Sequence, residues 1–165
     1  MKEIPLTKGK VALVDDCDFE WLSQWKWYAH YDPRMCGWYA MRAGLRANGL
    51  RAVAMHRLII SAPEGLHVDH RDHDGLHNWR TNLRPCTVAE NQHNQRRRAD
   101  NTSGYKGVCR HEGLWQAQIM NRGVIHYLGR FPSPEYAAAA YNKAALAYFG
   151  AFACLNDIDG RAECT

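Results

Sequence analysis

Apolar and polar residues alternate most cleanly in the last third of the chain. Tyr105–Arg110, Leu114–Asn121 and Val124–Phe131 each follow the period of two that a half-buried strand requires, with turns marked at Glu112-Gly113 and Asn121–Gly123. A helical pattern follows. Ser133 suits the N-cap, Pro134 the first helical position and Gly150 the position past the end, and the small residues Ala137–Ala140, Ala144, Ala145 and Ala147 let this helix lie close on a sheet. In the middle strand Trp115, Ala117 and Ile119 should face the helix, leaving Gln116, Gln118 and Met120 on the open side. Residues 104–156 are therefore predicted to form a three-stranded antiparallel sheet packed on one helix, with 157–165 as a tail.

The earlier parts are less regular. Residues 1–55 read as a β-rich segment around one short helix: Lys10–Val14 and Gly37–Arg42 have strand composition, Trp25–Tyr28 is rich in aromatics, and Asp16–Ser23 opens with an acidic cap. Trp21, Trp25, Trp27, Tyr28, Trp38 and Tyr39 are expected in a core rather than as a stacking surface for bases. Residues 56–98 are rich in His, Asp and Asn. Leu66–His70 alternates as a short strand, Asp74-Gly75 marks a turn, and Leu83–Cys86 suits a second strand. Thr87-Val88-Ala89-Glu90 is a capping box that starts a helix near Val88 and puts Asn91 on its first turn. A polar stretch, Arg96–Ser103, ends that helix, and 99–103 serves as a linker. The fold class is α+β.

Charge bears on the partner. The formal net charge is +4, and between Arg96 and Arg130 the basic residues Arg96, Arg97, Arg98, Lys106, Arg110, Arg122 and Arg130 are opposed only by Asp100 and Glu112. Such a segment fits a polyanion, although the Arg96–Arg98 run is also what a solvated helix end looks like. The six cysteines include no C-x-x-C pair, which argues against a zinc ribbon. No signal peptide precedes them, so reduced thiols in a cytoplasm are expected. No apolar run approaches the roughly 20 residues that span a bilayer.

The chemistry is concentrated around Val68-Asp69-His70. Strand, loop, strand and helix folded compactly would bring Asp69 and His70 opposite Asn91. Asp69 and Asn91 supply hard oxygen donors suited to Mg²⁺ or Mn²⁺, one ion per chain, and such an ion stabilises charge on a scissile phosphate. His70 stands next to the metal carboxylate and has the pKa range for deprotonating a water near neutrality. Asn82 can orient the imidazole or its loop. His67, His73, His77 and His93 have no spacing that closes a tetrahedral zinc site.

The run from Met55-His56-Arg57 through Val68-Asp69-His70, Asn78, Asn82-Leu83-Arg84 and Glu90-Asn91-Gln92-His93-Asn94 resembles the HNH homing endonucleases of phages and group I introns, in the branch where an Asn replaces the last His. Leu6–Asp15 is similar to the N-terminal region of the phage members. The resemblance implies a ββα-metal motif in which Asp69 and Asn91 hold the metal, His70 is the general base and Asn82 positions it; Arg57 is a candidate phosphate contact.

Ser103–Val108, Trp115–Ile119, Tyr127–Phe131 and Ala137-Ala138 to Tyr141 resemble the APETALA/ethylene-response-factor DNA-binding domain. That likeness implies a sheet laid in the major groove, with Lys106, Arg110, Gln116, Gln118, Arg122, Tyr127 and Arg130 as candidate contacts. Cys109 and Ile125 stand where arginines are usual and Tyr127 where a tryptophan is, so the plant target does not carry over. The expected function is a metal-dependent DNA endonuclease that nicks duplex DNA as a monomer or homodimer, with no small-molecule cofactor and no membrane. The competing reading is a non-catalytic, regulator-like DNA-binding protein on the same scaffold. A decayed copy should have lost one of Asp69, His70, Asn82 and Asn91, and all four are present.

Overall fold

The computed structural model describes residues 1–44, 52–97 and 100–158. Arg98, the start of the expected linker and most of the expected tail lie outside the described residues. The fold is mixed α and β, with several small sheets and four α-helices among the described residues. Two compact units divide the chain, one spanning Met1–Val88 and the other beginning at Ala89. Among the described residues no helix is long and apolar enough to cross a membrane.

The first unit opens with a hairpin. β1 (Lys2–Pro5) pairs antiparallel with β2 (Val11–Val14) across a one-turn 3₁₀ segment, Thr7–Gly9, where Lys8 takes a positive φ of 61°. Helix α1 (Asp16–Leu22) follows, with Asp15 at its N-cap. The expected acidic cap is present in position, but the Asp15 side chain makes no cap hydrogen bond and instead accepts from the backbone N–H of Arg80 at 2.7 Å. β3 (Tyr28–Asp32), β4 (Gly37–Ala43) and β5 (Ala52–Ala54) form an antiparallel sheet in that order, and α2 (Met55–Ile59) continues from β5. A second hairpin, β6 (His67–His70) with β7 (Leu83–Cys86), completes the unit.

These elements, β5 and the 3₁₀ segment apart, share one core, built from Ile4, Leu6, Ala12, Val14, Leu22, Trp27, Ala29, Ala40, Met55, Ile59 and Leu83, with Val68 and Leu76 packed against it. The hairpin that carries Asp69 and His70 is thus seated on the N-terminal strands by hydrophobic burial. The aromatics divide. Trp27 is buried and Trp21 and Trp38 flank the core, but Trp25 is exposed, its indole covered on one face by the Arg42 guanidinium at 4.7 Å. The exposure of Trp25 departs from the expectation that these aromatics lie in the core.

In the second unit, α3 (Val88–His93, its first residue belonging to the first unit) starts where the capping box predicted and stops at His93, before the arginine run. The sheet is ordered β8 (Val108–His111), β9 (Leu114–Asn121), β10 (Val124–Phe131), all antiparallel. β8 is shorter than the expected Tyr105–Arg110 strand, because Tyr105–Gly107 are held in a turn. Asn101 Nδ2 donates to Tyr105 O at 3.0 Å and Ser103 Oγ to Val108 O at 2.8 Å, side chains competing for backbone groups a ladder would use. Gly107 sits there with φ 73°, and a Cβ would collide with the Tyr141 ring. Helix α4 (Pro134–Phe149) has Ser133 as N-cap, its hydroxyl accepting from the Tyr136 N–H at 3.4 Å, and Gly150 at its end. Ala117 of β9 and Ala137, Ala138 and Ala145 of α4 are fully buried, so helix and sheet approach closely, as the alanine run predicted.

Candidate active site and nucleic-acid face

Neighbouring residues on a strand point to opposite faces, and β6 uses this to separate Asp69 from His70. Asp69 is the register partner of Arg84 on β7. The guanidinium donates to Asp69 Oδ2 from Nε at 2.7 Å and from Nη2 at 2.6 Å, with both residues buried. His70 lies on the other face, opposite Leu83 of the core. Its ring meets His56 of α2 edge to face, with centroids 5.1 Å apart, and Tyr39 of β4 at 6.0 Å. Its Nε2 stands 3.5 Å from Asn78 Oδ1, at the limit of a hydrogen bond.

Burial holds the His70 imidazole below the ordinary histidine value, against the opposing pull of Asn78 and the carboxylates of Asp72, Asp69 and Asp74. His56 goes further. Burial, then His70 and Arg57, push it down to about 3, and its Nδ1 is buried with no hydrogen-bond partner among the described residues. Burial thus disfavours the charged form of both imidazoles, most clearly at His56.

The loop between β6 and β7 is tied down side chain by side chain. Asn82 Nδ2 donates to Asp72 Oδ1 at 2.9 Å and to His77 O at 2.8 Å, while its Oδ1 accepts from the Asp72 N–H at 3.1 Å. Asn82 thus organises the loop, and Asn78 is the amide next to His70. His77 Nδ1 lies 2.6 Å from Asp72 Oδ2. Asn78, fully buried, is itself anchored by its N–H to Leu13 O at 2.7 Å. Arg80 grips buried Asp18 through Nε at 2.8 Å and Nη2 at 2.7 Å, fastening the loop to α1. At Gly75 the loop touches β4 so closely that a Cβ would run into Trp38 O and come within 2.6 Å of the Tyr39 ring.

Other candidates have local duties. Arg57 donates to the carbonyls of Leu66 (2.6 Å), Pro63 (3.0 Å) and Ala62 (3.3 Å), stapling the segment before β6. In the second unit, Asn91 is on α3, half-buried, and Arg96 and Arg97 are exposed. Lys106 is turned inward, its ammonium donating to His93 O at 2.8 Å and Gln95 O at 2.6 Å where α3 ends, and burial lowers its pKa. Arg110 lies over the Trp115 ring at 5.7 Å, and Arg130 donates to Glu112 at 2.6 Å. Arg122 occupies the β9–β10 turn with φ 50°. Gln116, Gln118 and Tyr127 lie on the sheet face opposite the helix.

None of the five described cysteines forms a disulfide, and among the described residues no three His, Cys, Asp or Glu side chains converge as a metal cluster. The donors that sequence reasoning selected are oxygens, a carboxylate at 69 and an amide at 91, which suit a hard, mostly hydrated cation better than zinc. The side chains that sequence reasoning did not select as site residues are Tyr39, His56, Asn78 and Arg84.

No protein-family model matches the chain. A plant protein is similar to part of it: an AP2/ERF and B3 domain-containing protein of Oryza sativa subsp. japonica is 48% identical over 59 residues, 35% of this chain and 16% of that protein. An uncharacterized HNH endonuclease of Acanthamoeba polyphaga mimivirus is 32% identical over 160 residues, covering 92% of this chain and 78% of the viral protein. A likeness running through the buried Asp69-His70 hairpin and nearly the whole chain places it: the protein belongs to the HNH endonucleases.

Proposed function

We propose that the protein is a divalent-metal-dependent endonuclease that nicks duplex DNA, with the β8–β10 face adding DNA affinity. The observation that carries this reading is the buried Asp69-His70 pair, adjacent on one strand, with the imidazole packed against His56, Tyr39 and Asn78. In this reading Asp69 and Asn91 hold one Mg²⁺ or Mn²⁺. When bound, the ion draws charge from the scissile phosphate and the departing oxygen. His70 takes a proton from the attacking water, the hydroxide oxygen bonds to phosphorus, the bond to the 3′ oxygen breaks, and that oxygen takes a proton from solvent. Asn82 keeps the loop in shape by its three hydrogen bonds, and Asn78 faces the base.

One such site serves one strand, so a single chain nicks, and a double-strand break needs a second chain or a second event. The test is conversion of supercoiled plasmid to open circle with Mg²⁺ or Mn²⁺, and its loss with chelator. His70→Ala should lower nicking by about 10²-fold or more while leaving DNA affinity in place. If wild type and His70→Ala nick alike, His70 is not the base. If neither nicks and both bind, the protein is a DNA-binding relative of the enzymes.

A further inference from the structure

The open face of the β8–β10 sheet is built in cross-strand rows. Gln116 is flanked by Cys109 and Arg130, Gln118 pairs with Tyr127, and Met120 pairs with Ile125. Met120, Ile125 and Tyr127 are each about 60% exposed, an apolar strip that a solvent-facing sheet would not ordinarily keep. The two amides are linked in tandem, Gln116 Nε2 lying 3.4 Å from Gln118 Oε1. The guanidinium in these rows, Arg130, is bonded to Glu112. Arg110, on the neighbouring edge strand, and Arg122, in the β9–β10 turn, supply cations at the margins. With Lys106 turned inward, three arginines and one glutamate remain between Gly104 and Phe131, a positive balance that favours a polyanionic occupant over an apolar protein surface.

The major groove discriminates base pairs by donor, acceptor and methyl pattern. A glutamine amide matches adenine N6 and N7, apolar side chains match the thymine methyl, and guanine calls for an arginine or lysine on O6 and N7. The rows supply amides and apolar groups, with their guanidinium engaged by a carboxylate. We propose that this face reads an A·T-rich major groove, with Gln116 and Gln118 on adenine edges and Met120 and Ile125 against thymine methyl groups. The inference rests on the reading that the second unit binds duplex DNA. Arg110 and Arg122 hold phosphates at the margins and carry no base preference.

The test is fluorescence anisotropy of the full chain, without divalent metal so that nothing is cut, on A·T-rich and G·C-rich duplexes of equal length at one salt concentration. The A·T duplex should bind at least tenfold tighter. Replacing its thymidines with deoxyuridine, which removes only the methyl groups, should weaken binding several-fold. Ile125→Arg, at an exposed position, should shift preference toward G·C, and Gln118→Ala should narrow it. Equal affinity for the two duplexes, or indifference to the methyl groups, overturns the proposal while leaving DNA binding and nicking untouched. Failure to bind any duplex overturns the underlying DNA reading instead, and self-association through the strip, seen by sedimentation without DNA, overturns both.

Discussion

His56 and His70 meet edge to face at 87°, their ring centroids 5.1 Å apart, and burial disfavours charge on both. Burial first, then His70 and Arg57, keep His56 neutral, so a proton arriving on His70 meets no opposing imidazolium. The contact needs only a ring, whereas the buried Nδ1 of His56 has no hydrogen-bond partner among the described residues and costs stability, on the order of 1–3 kcal/mol for such a group. His56→Phe should therefore raise the midpoint of urea unfolding and keep most of the nicking rate. His56→Ala removes the ring that packs on the base, and should lose about 2–4 kcal/mol and at least tenfold in nicking. A less stable Phe variant would mean that Nδ1 has a partner in solution and that this packing account is wrong.

The Asp69–Arg84 pair separates stability from catalysis. Both groups are buried, so Arg84→Met leaves a carboxylate without its guanidinium and should cost about 3–5 kcal/mol in denaturant titrations. Asp69→Asn with Arg84→Met removes both charges and should recover much of that loss. Nicking should not return, because the proposed metal carboxylate is gone. Recovery of nicking in the double variant would show that the Asp69 carboxylate charge is not needed to hold the ion.

The β9–β10 hairpin and α4 were legible because each depends on local information: period, turn residues, a capping serine and a terminal glycine. Their observed bounds, Leu114–Asn121, Val124–Phe131 and Pro134–Phe149, fit those signals. Asp69 and His70 were legible as chemistry. Their partners were not, because the loop from Arg71 to Asn82 is too long for its length to set a register, and Arg84 becomes the partner of Asp69 only once β6 and β7 pair. Tyr39 and His56 reach His70 from elements 31 and 14 residues away, through a core no local pattern describes. The shortened β8 failed for another reason. Its apolar alternation was real, but Asn101 and Ser103 took the backbone groups a longer strand needs.

Acid should weaken the first unit through Asp18. Burial alone would raise this carboxyl, but the hydrogen bonds from Arg80 and Trp21 outweigh it and leave its pKa below the ordinary value. A folded-state pKa below the unfolded one, about 3.9 for aspartate, means the stabilisation is present above that pH and disappears as pH falls through the folded value. Thermal melts of wild type should hold steady from neutrality to about pH 5 and drop below about pH 4. Asp18→Asn should lower the midpoint clearly at pH 7 and much less at pH 3. An equal gap at both pH values would show that the carboxylate charge contributes nothing.

Lys106 and Arg122 should separate packing from phosphate binding. The Lys106 ammonium donates to the carbonyls of His93 and Gln95, where the end of α3 concentrates negative charge, and the residue is half-buried. Arg122 projects from an exposed turn. A side chain that neutralises a phosphate releases a counterion, so its loss reduces the slope of log affinity against log salt by about 0.9. Arg122→Ala should show that reduction with an unchanged melting temperature. Lys106→Met should do the reverse, melting lower because the last carbonyls of α3 lose their donor, with the salt slope intact. If Lys106→Met flattens the slope without lowering the melting temperature, its ammonium leaves those carbonyls for DNA, and the sequence reading of Lys106 as a phosphate contact holds over the structural one.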